Sequence, residues 1–243
     1  MEYRLDSHTH TLASGHAYNT IMEMASAAAQ KGLELLAITE HSVSMPGTCG
    51  LFYFHNLKII PRELAGITVL FGAELNIMDK SGRTDMPDDL AARMDVTVAS
   101  LHMPCIDPGT VNENTSAIIG AIENPLVNII GHPDDGRYPV DFDTIAAAAK
   151  EHGTLLEVNN HSLEPGCTRE NARENDIRML EMCMKYKTPV ILDSDAHWCG
   201  DIGNHAMSMA LIEELGFPEE LVVNRSVEEY KKFINRYKSL SLQ

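Results

Sequence analysis

The sequence predicts an α/β barrel, a ring of short parallel strands wrapped by helices. Seven short apolar runs alternate with helical segments along the chain, and no shift in composition divides its 243 residues. A length of ~250 residues is ordinary for one (β/α) barrel, so a single domain over residues 1–243 is expected. A third observation says where such a barrel would work: histidines and carboxylates recur just after the apolar runs.

The first run, Tyr3-Arg4-Leu5, leads into Asp6-Ser7-His8-Thr9-His10. Side chains two apart on an extended chain share a face, so His8 and His10 are set toward one centre together with Asp6. Thr20-Ile21-Met22-Glu23 has the Thr-x-x-Glu form of a capping box and opens an alanine-rich helix that stops at Gly32. Leu35 to Thr39 is a second strand of the buried parallel type, ending in Glu40-His41. Ser42 to Ala65, broken by Pro46, Gly47 and Gly50, is irregular apart from a short helix around Phe54 to Ile60.

Ile67 to Ala73 forms the third strand, with Glu74 where it leaves the sheet, and Asp79 to Arg83 turns a small excursion. A helix around Met86 to Met94 precedes the fourth strand, Asp95 to Ser100, which ends in Leu101-His102. A helix over Val111 to Glu123 precedes the fifth, Val127 to Ile130, which ends in Gly131-His132-Pro133. Asp141 to His152 is helical and stops at Gly153. Leu155 to Val158, the sixth strand, runs into Asn159-Asn160-His161. A polar helix from Arg169 to Tyr186 leads to the seventh, Pro189 to Leu192, and then to Asp193-Ser194-Asp195-Ala196-His197. Helices near Asn204 to Leu215 and after the Ser226-Val227-Glu228-Glu229 capping pattern complete the chain.

Hydrophobic residues make up 44% of the chain and aromatics 6%, enough for one large core and against disorder. A formal charge of -16 argues against nucleic acid or an anionic membrane as partner, since both demand a basic patch. The five cysteines include no Cys-x-x-Cys pair, which points to a reducing compartment rather than a disulfide framework. With no charged-then-apolar leader and no apolar run of ~18 residues, the expectation is a cytoplasmic protein without a membrane partner. A homo-oligomer is compatible with all of this.

In parallel barrels the C-terminal ends of the strands share one rim, so residues far apart in sequence converge there. His8 and His10 follow strand one, His41 strand two, Glu74 strand three, His102 strand four, His132 strand five, and Asp195 and His197 strand seven. His16 lies in the loop after strand one and can join them. Seven histidines and two carboxylates exceed what one zinc-type ion takes, about four ligands, so two or three ions are implied. Zinc, manganese and iron all suit mixed imidazole and carboxylate ligation.

This ordered set, Asp6-x-His8-x-His10, Glu40-His41, Glu74, Ser100-x-His102, Gly131-His132-Pro133 and Asp195-x-His197, resembles the polymerase and histidinol phosphatase (PHP) superfamily across nearly the whole chain. It is most similar to the small YcdX-like phosphatase branch. The resemblance implies a distorted, TIM-barrel-like (β/α)7 barrel with three divalent ions on its rim, zinc first and manganese or iron as alternatives. By the same resemblance, His8, His10, Glu74 and Asp195 hold one ion, and Glu74 bridges to a second held by His102 and His132. His16, His41 and His197 hold the third. Glu74, Asp195 and His197 thus carry the catalytic centre, with Asp6 and Glu40 as outer partners that orient histidines.

The chemistry expected of such a cluster is hydrolysis of a phosphate monoester of a small metabolite by a metal-bound hydroxide. Beyond the ions, Arg173 and Asn160 are the candidate phosphate donors, in line with similar positions in the resembling branch, and His161 is a candidate proton donor. Three readings compete: the phosphatase, a phosphodiesterase or nuclease of the same superfamily, and a metal-binding regulator without activity. An amidohydrolase is disfavoured by the absence of a strand-end lysine suited to carbamylation.

Overall fold

The computed structural model describes residues 3–238. The expected domain of residues 1–243 therefore extends at both ends beyond the described residues. Eight strands are found among them: β1 (Leu5–Asp6), β2 (Leu35–His41), β3 (Glu63–Leu64), β4 (Ile67–Asn76), β5 (Thr97–Ser100), β6 (Ile129–Ile130), β7 (Leu155–Asn159) and β8 (Val190–Asp193). Seven of them run parallel in the order β1-β2-β4-β5-β6-β7-β8, and β3 adds antiparallel to β4. The connecting helices include α1 (Ile21–Gln30), α2 (Leu51–Asn56), α3 (Asp88–Ala91), α4 (Val111–Glu123), α5 (Phe142–His152), α6 (Ala172–Tyr186) and α7 (Ala206–Glu214), followed by α8 (Val227–Lys231) and α9 (Asn235–Lys238).

The sheet nearly closes into a barrel. Its end strands meet above their own last residues, where Thr9 bridges Ala196 and the His10 N–H donates to the Ala196 carbonyl at 2.9 Å. β1 is too short to continue that pairing downward, and Asn224 takes its place. The Asn224 Nδ2 donates to Leu192 O at 2.6 Å and to Leu5 O at 3.3 Å, while its Oδ1 accepts from Leu192 N at 2.8 Å. A side-chain amide thus supplies the donor and acceptor that a backbone rung would have supplied.

The alternation of the strands divides the barrel interior into two layers. Lower inward positions are apolar and form one cluster with Leu5, Leu35, Ala37, Leu70, Val98, Ile129, Leu155 and Ile191, closed from below by Tyr230 and Ile234. Each such fully buried aliphatic side chain contributes roughly 2 kcal/mol. Two residues further along, the same faces carry polar groups, so that Leu155 is followed by Glu157 and Ile191 by Asp193, while on β4 Gly72 intervenes between Leu70 and Glu74. A second apolar cluster fills the space between sheet and helices.

Several expectations shift in detail. Glu74 lies inside β4, because that strand pairs on through His41↔Glu74 and Asn76↔Ser100. The helix expected over Met86 to Met94 contracts to one turn, α3. β3 arises within the stretch read as irregular, where Ala65 and Gly66, both at positive φ, turn the chain back onto β4. A full capping box forms at Thr20/Glu23 and another at Thr110/Glu113. At Ser226 only half of one forms, since the Glu229 carboxylate pairs with Lys232 instead.

Candidate metal centre

Strand ends deliver the ligand-type side chains to one point on the rim. Glu74 stands at its middle. Its Oε1 is 3.4 Å from His8 Nε2, 3.2 Å from His102 Nε2 and 3.1 Å from His132 Nε2. Its Oε2 is 3.6 Å from His10 Nε2 and 2.6 Å from His41 Nδ1. Asp195 Oδ1 approaches His10 Nε2 at 3.3 Å and His8 Nε2 at 3.7 Å. On the outer side His16 and His197 face each other, Nε2 to Nε2, at 3.1 Å. All nine expected ligand residues therefore converge.

Four of the convergent atoms, His8 Nε2, His10 Nε2, His41 Nδ1 and Glu74 Oε2, are buried without a hydrogen-bond partner. Even the short His41 to Glu74 approach lacks hydrogen-bond geometry. Buried polar atoms are rarely left this way, and lone pairs aimed at a common centre are what metal ligation requires. His8, His10 and Glu74 form one compact donor triad; His41, Glu74 and His102 form a second, and His10, His41 and His197 a third.

The electrostatics agree with the geometry. Burial opposes charge on Glu74, yet His102, His41 and His8 hold its carboxyl well below the usual range. Burial likewise opposes charge on Asp195, and His8, His10 and Arg169 reverse it. Burial, reinforced by His41 and His197, drives His10 well below the ordinary imidazole value, and burial drives His102 down to about 4 against the pull of Glu74. His8 is the exception: Glu157, Glu74 and Asp195 overcome burial and raise it well above. Carboxylates held ionised beside imidazoles that burial keeps from protonating, as at His10 and His102, favour a cation.

Behind the donors stands a layer of orienting groups. The His8 Nδ1 donates to Glu157 Oε1 at 2.7 Å, and Glu157 Oε2 accepts from the His132 backbone N at 2.6 Å. The His10 Nδ1 meets Ser14 Oγ at 3.0 Å, and that hydroxyl donates to Glu40 at 2.6 Å. Glu40 thus orients a histidine through a serine. Asp6 does not orient a cluster histidine; it accepts from Ser194 N, Ser194 Oγ and Gly203 N and so fixes the loop that carries Asp195. His132 and Asp195 both sit at positive φ, 29° and 54°, conformations that non-glycine residues hold only under constraint.

A cavity of about 360 Å³ opens over the cluster, lined in part by His16, His102, His161, Glu164, Arg169 and Asp195. His161 lies on its wall, half-exposed, with Nδ1 3.4 Å from Glu164. Asn160 is buried beneath, its Oδ1 accepting from Met207 N and Ser208 N at the start of α7 and its Nδ2 donating to Glu164. Arg173 is not brought to the cavity: it is exposed on α6 and pairs with Glu214 at 2.5 Å. The arginine in the cavity is Arg169, which donates to Asp195 Oδ2 at 2.9 Å, Ser162 Oγ at 2.9 Å and Asn159 Oδ1 at 3.0 Å. The helix begins at Ala172 rather than Arg169, which leaves Arg169 in a loop that turns back over the rim.

Comparison with known proteins fits this geometry. The family model described as PHP domain matches residues 6–168. A probable phosphatase of Caldicellulosiruptor bescii is 44% identical over 234 residues, covering 96% of this chain and 96% of that one. A probable phosphatase of Clostridium botulinum is 42% identical over 245 residues, covering 100% of both chains. Among solved structures, histidinol phosphate phosphatase from Lactococcus lactis, complexed with zinc, L-histidinol and phosphate, matches with a TM-score of 0.61 at 15% identity. That match covers 89% of this chain and 95% of that one. It bears out the barrel fold. No helix among the described residues is long and apolar enough to cross a membrane.

Proposed function

The chain belongs to the PHP domain family, and from that premise we propose that it is a phosphoric ester hydrolase, a metal-dependent phosphatase acting on the monoester of a small phosphorylated metabolite. The observation that carries the proposal is the set of partnerless buried donors converging on Glu74 and His8. The names of its relatives, probable phosphatases, support the reaction class. Zinc is the first choice of ion, in keeping with the imidazole-rich donor set.

His8, His10, Glu74 and Asp195 would hold one ion. Glu74, His102 and His132 would hold the second, and His16, His41 and His197 the third. The first set contains the compact triad around His8; His41 stands near Glu74 as well as near His197, so it faces two of the three places. Divalent ions bound there supply a water nucleophile at neutral pH and offset the charge on phosphoryl oxygens.

The chain's own groups do the rest. Arg169 presents a buried cation to the cavity beside Asp195 and takes the phosphate-facing place first assigned to Arg173. His161 stands on the wall where a leaving alkoxide would need a proton. Asn160, with its amide committed to α7 and Glu164, shapes that wall.

Metal analysis of the purified protein, paired with a Glu74→Ala variant, tests the assignment. Three ions per chain and phosphatase activity in the wild type, with both lost in the variant, would uphold it. Full activity in the variant would refute it.

A further inference from the structure

Asp85 lies outside the cluster, in the short excursion after β4 where Ile77 and Thr84 pair across a turn. Its carboxylate is nevertheless wired to a ligand. Oδ1 accepts from Asn76 N at 2.9 Å, and Oδ2 accepts from Asn76 Nδ2 at 2.7 Å and from Ser44 N at 2.8 Å. Asn76, fully buried at the end of β4, then meets His102: its Oδ1 lies 2.8 Å from His102 Nδ1. The opposite ring nitrogen, Nε2, lies 3.2 Å from Glu74 Oε1.

The atoms leave one consistent arrangement. A carboxylate only accepts, so the Asn76 atom facing Asp85 must be the NH2 group. The same NH2 also reaches the Ser42 carbonyl at 3.2 Å. That orientation turns the amide oxygen, again only an acceptor, toward His102. His102 Nδ1 must therefore carry the proton, and in the neutral ring the lone pair is on Nε2, aimed at the cluster.

We propose that Asp85, acting through the Asn76 amide, is a positioning residue that fixes His102 as the Nδ1–H tautomer and so presents its Nε2 as a donor. The inference rests on the ligand role given to His102 above. Through Ser44 N the same carboxylate ties the loop that follows His41, so one residue outside the centre holds the approach of two histidines to it.

The test uses the full chain. Asp85→Ala removes the carboxylate that holds the Asn76 NH2 and leaves only the longer contact to the Ser42 carbonyl against rotation of the amide, so the His102 proton is no longer confined to Nδ1. Asn76→Asp/Asp85→Asn restores an acceptor to His102 with a donor behind it. Long-range 1H–15N spectra of the metal-free proteins at mildly alkaline pH, with the His102 signal assigned by a His102→Gln variant, read the tautomer directly. Zinc titration reads the consequence.

The expected result is Nδ1–H in the wild type, an Nε2–H signal appearing in Asp85→Ala with one zinc site weakened by roughly 10–100-fold, and recovery of both in the double variant. A wild-type ring protonated at Nε2 overturns the relay, as does an Asp85→Ala protein whose spectrum and zinc titration are unchanged. Should Asp85→Ala fail to fold, the wild-type spectrum decides alone. Nδ1–H in a wild type that takes up no zinc would uphold the relay and refute the metal centre instead.

Discussion

Glu157 joins two separate ligand sets: one oxygen takes the His8 Nδ1 proton at 2.7 Å, and the other holds the backbone N of His132 at 2.6 Å. Both contacts require an acceptor, and only a carboxylate offers two. Glutamine in its place would turn an NH2 either to the His8 ring, moving that ring's proton to Nε2, or to the His132 N–H, where two donors would clash. Glu157→Gln is therefore expected to weaken metal binding by roughly 10–100-fold, with His8 and His132 affected together. Metal content after dialysis against graded free zinc checks this, and unchanged occupancy would contradict it.

Arg169 and Arg173 lie four positions apart but in different surroundings. Arg169→Lys keeps the charge and loses the planar fork that grips Asp195, Ser162 and Asn159. A fall in kcat/KM of about 100-fold is expected, equivalent to about 3 kcal/mol. Arg173→Ala removes only a surface pair with Glu214, and its kcat/KM is expected to stay within about twofold. Steady-state kinetics on both variants compares them, and equal effects would contradict the assignment.

The metal-free protein has a characteristic pH dependence. The folded His102 pKa is depressed from 6.5 to about 4, so as pH falls through that window the unfolded chain takes up a proton that the folded one refuses. Stability declines by roughly 3 kcal/mol from this residue. His10, also depressed, acts in the same direction. The contributions of Glu74 and Asp195, whose folded pKa values are lowered, are present above the unfolded carboxylate range and lost as pH falls through their folded values. His8 acts oppositely: its folded pKa is raised, so its contribution is present below the unfolded value and lost as pH rises through the folded one. Urea denaturation of the metal-free chain beside a His102→Gln variant isolates the His102 contribution: the parent should lose more stability than the variant as pH falls from ~6.5 to ~4. Equal losses in the two proteins would contradict this.

Asn224 bridges the seam between β1 and β8. Asn224→Ala would leave Leu192 N and O without their side-chain partners inside the barrel wall. A loss of about 2–4 kcal/mol is expected, read as a lower denaturation midpoint. A variant as stable as the parent would show that the seam is not held by this residue.

The barrel and the nine converging side chains were legible because both follow from local pattern. Apolar runs such as Leu35 to Thr39 mark strands, and a parallel barrel turns "after a strand" into "on the rim". Glu157, Asn76, Asp85 and Asn224 were not legible. Their roles depend on which atom meets which between residues 9 to 219 positions apart, as in the His8 to Glu157 pair, separated by 149. Arg169 and Arg173 illustrate the same limit at short range: both belonged to one expected helix, and a start three residues later left Arg169 in the loop over the cavity.

The most direct test of the central claim is the release of p-nitrophenol by the zinc- or manganese-loaded protein from p-nitrophenyl phosphate and from bis(p-nitrophenyl) phosphate, side by side, with and without a chelator. The account expects strong preference for the monoester and loss of activity on chelation. Preference for the diester would make the protein a phosphodiesterase, and turnover that survives full metal removal would contradict the metal centre itself.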